Sequence, residues 1–201
     1  MPGPIAIFGG TFDPPHLGHL VLAECVAHQF DCERVLFIPA GDPYRKTATD
    51  TPENRRAAVG TAREVSPAAL RIEMVRLAIA GNPRFQADSR EIDRPGPSYT
   101  VDTLRELHAE GHHDLLLVLG SDALADLPNW REPAEIQRLA RIVIAEKHDG
   151  SGTGRFERVN MPLLRISSTE IRARVAAGEP IRYLVPEAVE RFITERRLYL
   201  P

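Results

Sequence analysis

Four short runs of nearly unbroken apolar residues, at 4–8, 34–38, 114–119 and 141–145, constrain the fold of this chain more than any other feature. A strand with one face in water alternates apolar and polar residues. Arg34-Val35-Leu36-Phe37-Ile38, Asp114-Leu115-Leu116-Leu117-Val118-Leu119 and Arg141-Ile142-Val143-Ile144-Ala145 do not alternate. Runs that are apolar on both faces suit parallel strands covered by helices on each side. Helical patterns lie between and beside them at 18–30, 68–80, 100–110 and 131–139, the last with Ile136 and Leu139 on one face. The order β-α-β-α predicts a doubly wound, mostly parallel α/β sheet.

With 201 residues, 43% of them hydrophobic, the chain has enough apolar material for one core, and a single domain over 1–201 is expected. A small helical C-terminal part, about 166–201, follows a loop of small residues at 148–154. Its helices begin near Ser168 and at Pro186, the second with Val189, Phe192 and Ile193 at core-facing spacing. Residues 42–66, with Pro43, Pro52 and many charges, read as an irregular excursion over the sheet edge. The net charge of −3 argues against a sequence-independent nucleic-acid binder, so an anionic ligand would have to meet a local cluster of cations. Cys25 and Cys32 fit neither a C-x-x-C redox pair nor a complete metal site, and are expected to be buried or half-buried thiols. No segment approaches the ~20 apolar residues of a membrane span, and a soluble cytoplasmic protein is the default expectation. Homo-oligomerisation stays open, because apolar surface and apolar core look alike in a sequence.

The chemistry concentrates in Ile5-Ala6-Ile7-Phe8-Gly9-Gly10-Thr11-Phe12-Asp13-Pro14-Pro15-His16-Leu17-Gly18-His19. Here a strand is expected to break at Gly9-Gly10 and lead into the start of a helix. Backbone N–H groups and the helix dipole then favour an anion. His16 and His19, three residues apart, can face the same side of the first turn. The stretch lacks the Gly-Lys-Ser/Thr ending of a P-loop and the G-x-G-x-x-G of the dinucleotide fingerprint, and no H-E-x-x-H supports zinc. A second constellation, Ile166-Ser167-Ser168-Thr169-Glu170-Ile171-Arg172, contains a capping box in Ser167 and Glu170. Helix initiation alone explains that pair but not Arg172.

The first motif, G-x-F-D-P-x-H-x-G-H, and the second, I-S-S-T-x-x-R, together resemble the nucleotidyltransferase superfamily that transfers AMP or CMP from a nucleoside triphosphate to a phosphate. The resemblance implies a Rossmann-like nucleotidyltransferase sheet. Three further segments are similar to the bacterial nicotinate-nucleotide adenylyltransferases: Ile38-Pro39-Ala40-Gly41-Asp42-Pro43-Tyr44-Arg45-Lys46, Ser98-Tyr99-Thr100-Val101-Asp102-Thr103-Leu104, and Leu119-Gly120-Ser121-Asp122-Ala123-Leu124 followed by Trp130. The chain departs from that pattern at 145–150, where a short basic segment is usual. It also departs in a longer stretch between Lys46 and Arg71, and at Leu70, where a His is usual.

The family likeness implies adenylyl transfer from ATP to nicotinate mononucleotide, giving deamido-NAD and pyrophosphate. The alternatives are the same chemistry on nicotinamide mononucleotide, or a nucleotide-binding relative without turnover. By resemblance, His16, His19 and Arg172 carry catalysis by contacting phosphates. Gly9, Gly10, Thr11, Phe12, Gly18, Gly120, Asp122, Ser167, Ser168 and Thr169 would hold ATP, with Mg²⁺ arriving on ATP and no protein metal ligand named. Lys46, Tyr99, Thr100 and Trp130 would hold the mononucleotide. Plainer roles compete for three of these: Asp122 as a helix cap, Trp130 as a packing residue and Lys46 as a solvated surface lysine. No membrane or nucleic-acid partner is expected.

Overall fold

The computed structural model describes residues 3–42, 65–145 and 156–201. The expected excursion at 42–66, the loop at 148–154, the departure at 145–150 and Lys46 therefore lie wholly or largely outside the described residues.

The strands are β1 (Ile5–Gly10), β2 (Arg34–Pro39), β3 (Phe85–Ala87), β4 (Leu115–Gly120), β5 (Arg141–Ala145) and β6 (Glu157–Arg158). The helices, counted among the described residues, are α1 (Leu17–Gln29), α2 (Ala68–Ile79), α3 (Arg90–Asp93), α4 (Thr100–Ala109), α5 (Ser121–Asp126), α6 (Pro133–Leu139), α7 (Ser168–Ala176) and α8 (Glu187–Glu195). The strands form one sheet in the order β3-β2-β1-β4-β5-β6, and every neighbouring pair is parallel. From β1 the chain winds outward to β3, then crosses back to lay β4 on the other side of β1.

The unbroken apolar runs arise because β1, β2, β4 and β5 are buried on both sides. Side chains along a strand alternate between faces. Ala6, Phe8, Val35, Phe37, Leu116 and Val118 join one core, where they meet Ala23 and Val26 of α1, Met74 and Val75 of α2, Ile171 of α7, and Val189 and Ile193 of α8. Ile5, Ile7, Leu36, Ile38, Leu115, Leu117 and Leu119 join the other, against Val101, Leu104 and Leu107 of α4 and Ile136 and Leu139 of α6. A one-residue slip of any central strand would exchange its two faces and mismatch both cores.

Two expectations need correction. Gly9-Gly10 does not break β1: both glycines stay in the ladder, opposite Ile38 and Pro39. The turn begins beyond them, where Phe12, two residues after Gly10, takes φ 51°. The helix expected at 131–139, α6, begins at Pro133, because Glu132 at φ 51° precedes it and Pro is well suited to a first helical turn. Four of these elements are additional to the expected set, among them the four-residue helix α3. β3 and β6 are three and two residues long, too short for a periodic signal, and α5 buries none of its side chains.

Cys32 is buried, with its Sγ 3.7 Å from the Val26 carbonyl oxygen, and Cys25 is half-buried. Burial pushes the Cys32 thiol up to about 11 and the Cys25 thiol upward as well. Since the thiolate is the nucleophile, alkylation of native Cys32 at pH 8 should run about 10²-fold slower than that of a free thiol. Iodoacetamide labelling before and after urea unfolding checks this, with modification expected only after unfolding.

Candidate functional site

α1 begins at the exit of the β1 turn, with His16 as its N-cap in extended conformation. The His16 N–H donates to Nδ1 of His19 at 3.2 Å, and the two rings stack 3.7 Å apart at 21°. Because Nδ1 accepts, neutral His19 carries its proton on Nε2 and presents that atom as a donor. The His19 ring also meets the edges of Phe8 and Phe12, at 5.7 and 5.1 Å between centroids. His16 is buried against the ring-sized space above Gly18, whereas His19 is half-exposed. The expected pairing of the two imidazoles is therefore present, with His16 one residue before the helix rather than within it.

Phe12, expected to offer its backbone N–H to ATP, turns its side chain inward. Its ring is 2% exposed and sits in the core beside Phe8 and Phe37, folded back over Gly10. A Cβ at Gly10 would lie 3.0 Å from that ring, so the glycine is required by the turn it precedes.

The second motif docks onto the first. Ser167 caps α7 by accepting the Glu170 N–H at 3.1 Å, as the capping box predicts. Ser168 Oγ donates to the Pro14 carbonyl at 2.8 Å, and Arg172 donates to the Asp13 carbonyl at 2.7 Å and to Thr169 Oγ1 at 3.3 Å. Residues about 155 positions apart in sequence thus share one turn, and the N-terminus of α7 lies beside that of α1.

A cavity of about 280 Å³ opens at the carboxyl ends of β1 and β4. This is the point where the strand order reverses, the position at which open parallel sheets bind ligands. Gly9 and Gly10 line it from β1, Thr11 from the turn after it, Gly120 from β4, Tyr99 and Thr100 from the start of α4, and Trp130 from the loop before α6. Tyr99 is the N-cap of α4, and Trp130 follows a 3-10 turn, with its Nε1 donating to Asp126 at 3.3 Å. His16, His19, Phe12, Gly18, Asp122, Ser167, Ser168, Thr169 and Arg172 do not line this cavity. Asp122 is exposed in the first turn of α5 and caps nothing there, since Gly120 is the N-cap. Among the described residues no group of three or more His, Cys, Asp or Glu side chains is placed to hold a metal ion. No helix among them is long and apolar enough to cross a membrane.

Several residues without an assigned role in the sequence hold the site together. Asp13 is buried, accepting from Tyr199 at 2.6 Å on one oxygen and from the Ser66 N–H at 3.1 Å on the other. Burial, reinforced by Asp13, holds the Tyr199 hydroxyl protonated far above the ordinary phenol range, so it stays a donor. Arg71 is 1% exposed and donates to the carbonyls of Ser66, Thr11 and Gly41 at 2.9, 2.9 and 3.2 Å. Burial lowers its pKa, while Asp13 and Tyr199 oppose that shift. Glu91, buried at the cavity wall, accepts from Thr103 at 2.7 Å and from the Ser98 hydroxyl; burial raises its pKa and those hydrogen bonds oppose the rise. Ser98 in turn accepts the Gly41 N–H at 2.9 Å, at a point where a Cβ on Gly41 would sit 2.0 Å from the Glu91 carbonyl oxygen. One signal for Arg71 was available: it shares the apolar i, i+3, i+4, i+7 stripe of Met74, Val75 and Ala78, where a lone arginine must find internal partners.

The Cytidylyltransferase-like family model matches residues 7–174. A probable nicotinate-nucleotide adenylyltransferase of Roseiflexus sp. strain RS-1 is 44% identical over 209 residues, covering 98% of this chain and 98% of that protein. One of the same name from Streptomyces coelicolor is 42% identical over 198 residues, covering 95% and 98%. Among solved structures, the nicotinic acid mononucleotide adenylyltransferase of Plasmodium falciparum complexed with NaAD superposes with a TM-score of 0.72 at 17% identity. It covers 98% of this chain and 97% of the other. A putative nicotinate-nucleotide adenylyltransferase from Vibrio parahaemolyticus gives 0.69 at 20% identity, covering 98% and 95%.

Proposed function

The chain belongs to the Cytidylyltransferase-like family and, within it, to the nicotinate-nucleotide adenylyltransferases, and we propose that it joins ATP and nicotinate mononucleotide into deamido-NAD and pyrophosphate. The observation that carries the mechanism is the docking of Ser168 and Arg172 onto the Asp13–Pro14 turn that leads into His16 and His19. It gathers two helix N-termini, an arginine and two imidazoles at one rim of the sheet, beside a cavity walled by aromatic side chains.

In the reaction an oxygen of the mononucleotide phosphate attacks the α-phosphorus of ATP. The new P–O bond forms as the bond to the β-phosphate oxygen breaks, and pyrophosphate leaves with that electron pair. The attacking phosphate is already ionised at neutral pH, so no general base is needed. The protein contributes position and charge compensation. His19 Nε2–H, oriented by the His16 N–H at its other nitrogen, donates to the charge that develops at the α-phosphoryl oxygens, and His16 supports it. Arg172 and the start of α7 at Ser167, Ser168 and Thr169 take the β- and γ-phosphates. Gly9, Gly10, Thr11, Phe12 and Gly18 shape the phosphate turn, and Gly120 and Asp122 face the adenosine side. Mg²⁺ accompanying ATP would supply compensation of phosphate charge, and no residue of the chain is assigned to hold it. Trp130 stacks on the pyridine ring, the N–H groups at Tyr99 and Thr100 meet its carboxylate, and Lys46 meets the mononucleotide phosphate. The enzyme works as a soluble cytoplasmic protein.

Trp130 is the only tryptophan, which makes the cavity observable. Titration with deamido-NAD should quench its emission in a saturable way. Trp130→Ala should raise the KM for the mononucleotide about tenfold or more through loss of stacking, and leave the KM for ATP within about twofold. Unchanged emission at saturating dinucleotide would remove the ring from this cavity.

A further inference from the structure

The charge distribution around the cavity bears on a question that the strand and motif patterns leave open: whether the ring carries an acid or an amide. Among the described residues that line the cavity, two are charged, Arg131 and Glu91. They are held in opposite ways. Glu91 is buried and accepts two hydroxyl hydrogen bonds, and Arg94 donates at 3.1 Å to the same Thr103 hydroxyl that Glu91 binds. Burial disfavours its charged form, and the hydroxyl hydrogen bonds and Arg94 offset part of that. Arg131 is half exposed, with its guanidinium 4.7 Å from the centre of the Tyr99 ring.

Its ion pairs are long, 3.6 Å to Asp102 and 3.8 Å to Glu132. A charge-assisted hydrogen bond runs at about 2.7–2.9 Å, so neither pair is a close one. Glu132 directs its short hydrogen bonds to Arg105 instead. The guanidinium therefore stays near a ligand in the cavity without first giving up a tight partner. The face of Tyr99 keeps it there.

We propose that Arg131 is a specificity-determining residue, whose guanidinium beside Tyr99 and Trp130 favours a pyridine mononucleotide bearing a carboxylate over one bearing an amide. This rests on the adenylyl-transfer reading above and deepens it. A carboxylate gains the Coulomb attraction and can accept from the guanidinium fork, whereas a neutral amide gains only its dipole. Specificity is a difference of affinities, so the residue acts on the ratio of the two substrates rather than on the chemical step.

The test compares kcat/KM for nicotinate and nicotinamide mononucleotide, at saturating MgATP, in the wild-type protein, Arg131→Gln and Arg131→Lys. The expected result is a fall of about 5- to 20-fold in the acid-to-amide ratio for Arg131→Gln. The fall should be carried by the KM for the acid, with the KM for ATP within twofold and the melting temperature unchanged. Arg131→Lys should recover part of the ratio, and added salt should raise the wild-type KM for the acid more than that of Arg131→Gln. A ratio within twofold of wild type in Arg131→Gln overturns the inference while adenylyl transfer stands. A wild-type preference for the amide does the same. Turnover of neither mononucleotide by the wild-type protein would instead overturn the functional reading on which the inference rests.

Discussion

His19→Ala is expected to lower kcat by about 10²–10³-fold while the protein stays folded. The size follows from what the ring does: its Nε2–H is a preoriented donor aimed from a helix start at which other anion-stabilising groups converge. The orientation comes from the N–H of His16 at 3.2 Å and from stacking on the His16 ring. Alanine removes the donor and leaves the helix intact, because the ring is half-exposed and its deletion opens no closed void in the core. An interaction made mainly in the transition state should depress kcat and kcat/KM together, with little change in the KM for ATP. Steady-state kinetics with far-UV circular dichroism on the same preparation check both halves. Near-wild-type turnover would remove His19 from the mechanism.

Arg71→Met should cost about 3–5 kcal/mol of stability. The guanidinium is buried and serves three carbonyl oxygens, of Ser66, Thr11 and Gly41. Methionine fills much of the volume but leaves three half-buried acceptors with their Arg71 hydrogen bonds gone. The three carbonyls belong to the phosphate turn, the loop after β2 and the approach to α2, so activity should fall along with stability. Arg71→Lys keeps the charge and reaches fewer acceptors, and should recover only part of the loss. Urea unfolding of the three proteins measures this, and a loss under about 1 kcal/mol for Arg71→Met would show that the network is dispensable.

The contrast between these two residues explains what was legible in the sequence. His19 could be found because its chemistry is local: a strand, a turn and a helix start lie within fifteen residues, and Ser167-x-x-Glu170 announces its own helix start in the same way. The parallel sheet was legible because strands buried on both sides must be apolar throughout. Arg71 and Tyr199 work through partners far along the chain, such as Arg71 with Thr11 at 60 residues and Tyr199 with Asp13 at 186. No spacing rule reports a contact of that kind. The misplaced break at Gly9-Gly10 has a similar origin. Glycine signals permissiveness, and here it serves close approach by the Phe12 ring rather than a turn of its own. Strands of two or three residues and a short helix with no buried face leave no periodic trace at all.

The most direct measurement is pyrophosphate release from ATP and Mg²⁺ with nicotinate or nicotinamide mononucleotide, side by side, with the dinucleotide product identified by mass. Deamido-NAD and pyrophosphate are expected in equal amounts, with a large preference for the acid. Release of no pyrophosphate with either mononucleotide, from protein that still binds ATP, would contradict the adenylyl-transfer reading.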